Sequence, residues 1–230
     1  MKKRLIIGII TFLVIAGALI FYAYAGTWGK TELEIKIKIN EKLVHESAFG
    51  ESPTFAIWLE NPVTKSTNTI FATRRAAQND WEGKAEVPTA IPLWFDINES
   101  GNTSDNIDAF TGATPRPGYF ITRAKLTPGS IWICWIEVNL AGDFNEFYQQ
   151  IDLKNKTNDE YLSGQPSLLY KTEIPVSLGK VVRPEIAGMS VLNPDNTVSV
   201  QPLKGITTAQ DIFSEIELRI VKPKPKIFNF

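Results

Sequence analysis

Leu33-Glu34-Ile35-Lys36-Ile37-Lys38-Ile39 alternates apolar and charged residues without a fault. A period of two belongs to a strand with one wet face and one buried face, so this stretch predicts a half-buried β-sheet. Comparable runs follow at 54–60 (TFAIWLE), 68–74 (NTIFATR), 91–97 (IPLWFDI), 119–126 (YFITRAKL) and 131–141 (IWICWIEVNLA). They are rich in β-branched and aromatic residues and are bounded by Pro, Gly, Asn or Ser, which marks strands separated by turns. In 131–141, Trp132, Cys134, Ile136, Val138 and Leu140 share one face, while Ile131, Ile133 and Trp135 give way to Glu137 and Asn139 on the other. That is the pattern of a central strand. Further strands are expected at 147–153, 169–176, 197–200 and 212–221, with Asn193-Pro194-Asp195-Asn196 as a tight turn and one short helical turn around 76–81. The fold class expected is all-β, an antiparallel sandwich.

Outward from this core, the chain begins with Met1-Lys2-Lys3-Arg4 and then an uncharged run from Leu5 to Gly26. About 22 residues at 1.5 Å each suffice to cross a hydrocarbon layer of about 30 Å. The basic cluster stays in the cytoplasm, which places everything after the run outside the inner membrane. Residues 1–4 are thus read as a cytoplasmic basic region, 5–26 as a single transmembrane anchor, 27–222 as an extracytoplasmic sandwich and 223–230 as an extended Pro/Lys tail. The alternative for 5–26 is a signal peptide cut after Ala23-Tyr24-Ala25.

Composition excludes several classes of function. Lys+Arg of 24 against Asp+Glu of 25 leaves no basic excess to neutralise phosphates, so nucleic acid is not an expected partner. A single Cys forms no internal disulfide or cysteine-based zinc site, and a single His leaves His45 as the only candidate for a His-dependent triad. His45 lies beside Glu46 in a charged stretch and reads as a surface residue, and Cys134, between Trp132 and Trp135, as a small buried hydrophobe. Asp96-Ile97-Asn98-Glu99-Ser100-Gly101 begins like a calcium loop but has Thr103 at the eighth and Ile107 at the twelfth place, so it reads as a solvated loop. Arg74-Arg75 reads as a wet strand end.

One stretch is hard to attribute to packing alone. Asp108-Ala109-Phe110-Thr111-Gly112-Ala113-Thr114, followed by Pro115-Arg116-Pro117-Gly118, resembles the D-x-x-[ST]-G-A-[ST] motif of covalent flavin attachment. The resemblance implies that a magnesium-dependent flavin transferase joins the FMN phosphate to the hydroxyl of Thr114. Thr111 would shape the turn, and Gly112 and Ala113 would leave room for the incoming dinucleotide. After the motif the chain departs from the usual FMN-carrying domain, since a P-R-P-G turn leads straight into a strand. The other reading of these residues is a surface loop with Gly112 and Gly118 as turn positions.

From about Glu32 to Tyr170, the order LEIKIKI, PTFAIWLEN, an Arg-containing strand and a Trp, IPLWF, DAFTGATPRPGYF, WICWIEV and GQPSLLY is similar to the predicted periplasmic family known as domain of unknown function 2271. That resemblance implies an immunoglobulin-like sandwich in a bacterial envelope, found alongside flavin-dependent membrane redox proteins. The function expected is a membrane-anchored module that carries covalent FMN on Thr114 and passes electrons to or from a membrane redox protein, with no catalytic residues of its own. Phe110, Tyr119 and Phe120 are the nearest aromatics for the flavin ring, and Arg116 the nearest cation for the phosphodiester. The alternative is a cofactor-free envelope binding or scaffold domain.

Overall fold

The structure is a computed structural model; it describes residues 2–78, 90–99, 110–112, 118–149 and 164–225, with side chains for all of these except 2–5, 7, 8, 78, 99 and 110–112. It opens with α1 (Lys2–Ala25), 24 residues long. From Ile9 to Tyr22 its described side chains are exposed except the partly covered Ala16; Phe12, Leu13, Val14 and Phe21 are each more than half exposed. Among the described residues no helix is long and apolar enough to cross a membrane.

The Leu33–Ile39 alternation becomes β1 (Thr31–Ile39), whose Leu33, Ile35, Ile37 and Ile39 are buried while the intervening Glu and Lys residues face outward. β1 lies inside a four-stranded antiparallel sheet between β5 (Gly118–Leu126) and β11 (Phe213–Val221), with β8 (Val181–Val182) beyond β11. On its outer face Glu34 stands opposite both Arg123 and Arg219, and Arg123 Nε donates to Glu34 at 2.8 Å. Opposite charges at cross-strand positions support that register and discourage others.

The second sheet has seven strands in the order β10 (Val198–Gln201), β9 (Glu185–Leu192), β7 (Ser167–Pro175), β6 (Ile131–Asn139), β2 (Thr54–Glu60), β3 (Thr67–Thr73) and β4 (Phe110–Gly112). All its pairings are antiparallel except β3 with β4. The two sheets share one core. Phe55 of β2 lies 5.1 Å from Phe71 of β3, 5.3 Å from Phe120 of β5 and 5.5 Å from Phe213 of β11 (ring centroids), so four aromatic rings join both sheets. Tilted and edge-on contacts at these distances suit the ring quadrupoles as well as burying area. A second, smaller cluster covers the far side of the large sheet, where Ala56, Trp58, Ala72 and Leu169 meet Ala76 of α3 (Arg74–Gln78) and Ile91 and Trp94 at α4 (Pro92–Glu99). β2 is therefore apolar on both faces, which explains its unbroken TFAIWL run.

Three sequence expectations need correction, and two elements were not expected. The expected strand 91–97 is helix α4. Its apolar spacing of Ile91, Trp94 and Phe95 fits a helical stripe as well as a strand, Pro92 occupies the first helical position that proline favours, and Glu137 receives the first free N–H groups. Of the strand expected at 147–153, Phe147 and Tyr148 form a bend instead, because Asn145 Oδ1 accepts from Phe147 N at 2.9 Å and Tyr148 N at 2.8 Å, and residues 150–153 lie outside the described residues. Arg74 and Arg75 open α3 rather than end a strand, and Arg75 pairs with Glu51. β9 was not foreseen because a bulge breaks its alternation: Tyr170 pairs with Ile186 but Leu169 with Gly188. α2 (Glu41–Glu46), capped by the Asn40 side chain, also follows β1 unannounced. The helical turn expected at 76–81 is met in part by α3, with residues 79–81 outside the described residues.

Candidate functional site

Of the D-x-x-T-G-A-T stretch, Phe110, Thr111 and Gly112 are described, at an edge of the large sheet. Thr111 and Gly112 belong to β4, paired in parallel with Ala72 and Thr73 at the edge of the large sheet. Gly118 begins β5 at the edge of the small sheet. The chain thus crosses from one sheet edge to the other between Gly112 and Gly118. Asp108, Ala113, Thr114 and Arg116 lie outside the described residues. Gly118 has φ +125°, and no atom lies within 4 Å of where a Cβ would sit, so backbone conformation rather than crowding requires glycine there.

Beside Gly118, Tyr119 is 55% exposed, with Lys36 Nζ 4.2 Å and Lys38 Nζ 5.6 Å from its ring centroid. These three side chains project from the outer face of the small sheet because β1 and β5 place Lys38 directly opposite Tyr119 and Lys36 opposite Ile121. Two cations lie over this exposed ring, while Glu215, opposite Lys38, accepts from the Tyr119 hydroxyl at 3.4 Å and Glu217 stands opposite Lys36, so the face carries both signs of charge. Phe120, by contrast, points inward, 4.4 Å from Phe71, and serves the core.

Sequence reading assigned Glu137 only to the second face of a central strand; it is fully buried under α4. Its carboxylate accepts from Leu93 N at 3.3 Å and Trp94 N at 2.7 Å, and from the hydroxyls of Ser167 and Ser190, the former at 2.7 Å. Burial pushes Glu137 up to about 7, against the downward pull of these four donors. A second buried carboxyl, Asp143, accepts from Gln165 N at 2.9 Å through Oδ1, while Oδ2 has no partner among the described residues. Burial pushes Asp143 up to about 8. The clue available in the sequence was one acid, Glu137, within an otherwise aromatic and aliphatic strand.

Other expected side chains take ordinary roles. His45 is exposed on α2, and Cys134 is fully buried, its thiol raised far above the usual range by loss of hydration. Asp96 is on α4, and the rest of the rejected calcium loop from Ser100 lies outside the described residues. Among the described residues no three His, Cys, Asp or Glu side chains gather as metal ligands. Compared with known proteins, the chain matches no family model, and neither the curated proteins nor the solved structures give a match.

Proposed function

We propose that the chain is a membrane-anchored extracytoplasmic module with an immunoglobulin-like sandwich, related to the domain of unknown function 2271 family, that carries FMN on Thr114 and passes electrons in a bacterial envelope. The observation that carries the reading is the D-x-x-T-G-A-T motif at the link between the two sheet edges. A connection between two sheet edges suits a residue that a second enzyme must reach. Attachment forms a phosphoester bond at Thr114 Oγ and breaks the phosphoanhydride of a flavin dinucleotide, the adenylate half leaving. Lys36 and Lys38 supply positive charge for the phosphodiester, and Tyr119 a face for the ring. The flavin brings its own redox chemistry, so the protein's part is to hold and place it. The anchor reading is supported by α1, whose described side chains from Ile9 to Tyr22 are mostly apolar and, apart from Ala16, exposed.

Periplasmic co-expression with a flavin transferase should give a fluorescent protein band that survives a denaturing gel. Thr114→Ala should abolish the band and leave the fold intact, while Thr111→Ala should at most weaken it. Wild type without flavin, in cells where a known acceptor is fully labelled, would overturn the flavin reading. The second reading, a cofactor-free binding or scaffold domain, is favoured by β5 itself: it is a nine-residue edge strand with Tyr119 and Ile121 each 55% exposed, a template for strand addition by a partner.

A further inference from the structure

The end of the sandwich where α1 enters holds a cleft of about 790 Å³. Its walls come from four places: the last turns of α1, the 27–31 segment, the turns at Pro128 and Leu178, and the chain leaving β11. Phe21, Tyr24, Trp28 and Leu178 make it apolar, and each is more than half exposed. Among the described residues its ionisable lining groups besides Tyr24 are Lys30 and Lys222, both exposed, with no acid. This is a local reversal of sign, because the chain after Lys2, Lys3 and Arg4 carries a net charge of −4, against −1 for the whole.

From this geometry we infer that the cleft binds one anionic phospholipid, its acyl chains along Phe21 and Tyr24 and its phosphate between Lys30 and Lys222. The inference rests on the membrane-anchor reading. Three features select this occupant. The apolar wall is continuous with α1, so a lipid beside the helix already touches it. Tyr24 lies in the last turn of α1 and Trp28 three residues past its end, the level at which such amphipathic rings mark a headgroup layer. The two lysines that line the cleft complement a phosphate. A bound lipid would fix the tilt of the sandwich, and with it the distance of the β4–β5 connection from the bilayer.

The test uses the full chain in nanodiscs of equal phosphatidylglycerol and phosphatidylcholine, released into mild detergent and examined by native mass spectrometry. Wild type should retain one phosphatidylglycerol in preference to phosphatidylcholine. Lys30→Gln/Lys222→Gln should lower that preference by about tenfold or more, since each lysine near an anionic surface contributes about fivefold. Trp28→Ala/Leu178→Ala should lower retention of both lipids. Equal retention of the two lipids by wild type, or an unchanged preference in the lysine variant, overturns the inference. So does a dimer that the lysine variant dissociates, which would make the cleft a contact between copies. Alkaline carbonate extraction of native membranes separates the two levels: release of wild type overturns the anchor itself, whereas a retained protein without lipid preference overturns the lipid site alone.

Discussion

Replacing Glu137 isolates a single buried carboxyl on which a helix depends. Glu137→Ala leaves two buried hydroxyls, the buried N–H of Trp94 and the half-buried N–H of Leu93 without their acceptor. At about 1–3 kcal/mol for each unsatisfied buried group, and with the hydroxyls able to turn to each other, the cost is about 3–5 kcal/mol. Ser167 and Ser190 are 2.8 Å apart and can pair in that way. Glu137→Gln keeps the shape and one acceptor, so it should cost about 1 kcal/mol. The pH dependence is the sharper test. Glu137 rises from 4.5 to about 7 on folding, so between those values the folded chain holds a proton that the unfolded chain has lost. The corresponding stability is fully present below pH 4.5 and is lost as pH rises through 7, a difference of about 3 kcal/mol. Asp143 acts in the same direction, from 3.8 to about 8, so the comparison belongs in an Asp143→Asn background. Urea unfolding of the full chain in mild detergent, followed by tryptophan emission at pH 5 and pH 7.5, should give a lower midpoint at the higher pH. Adding Glu137→Gln should remove that difference. Midpoints that coincide at the two pH values before Glu137 is changed, or a slope that persists in Glu137→Gln, would refute the account of this carboxyl.

Phe55→Ala removes the ring shared by Phe71, Phe120 and Phe213 and should cost about 3–5 kcal/mol in the same assay. In Gly188→Ala the new Cβ would stand 2.6 Å from the Gln201 carbonyl oxygen at φ +153°, so β10 must shift; a loss of about 1–3 kcal/mol is expected, with faster amide exchange in residues 198–201. Cys134 should resist maleimide in the native protein and react fully in denaturant, because it is buried and its thiolate is strongly disfavoured.

Strands were legible where one face alone is buried. β1 and β11 each keep a polar or charged outer face in the four-stranded sheet, β5 does so apart from Ile121, and their boundaries follow the alternation closely. The large sheet was harder to read, because α3 and α4 cover its second face and remove the alternation that separates a strand from a helix. Residues 91–97 were misread for that reason: Ile91 and Trp94 pack on the sheet from a helix, held by a carboxylate more than forty residues away. A long-range cap of that kind has no local signature. The D-x-x-T-G-A-T motif was legible as chemistry but not as architecture, since nothing in DAFTGATPRPGYF says that its two ends belong to different sheets.

The pairing of β1 with β11 ties the beginning of the sandwich to its end, Leu33 facing Ile220. A chain made from its N-terminus at about 5–20 residues per second exposes β1 for roughly 10–40 s before its C-terminal neighbour exists. During that interval the Leu33–Ile39 ladder has a bare isoleucine face, and the lysines and glutamates between those residues are what keep nascent chains from stacking on one another. Any product that stops short of residue 213 lacks a neighbour for one whole side of β1 and offers a degradative protease an open sheet. Ribosomes that abort late therefore yield polypeptides that can be told from finished ones by shape alone.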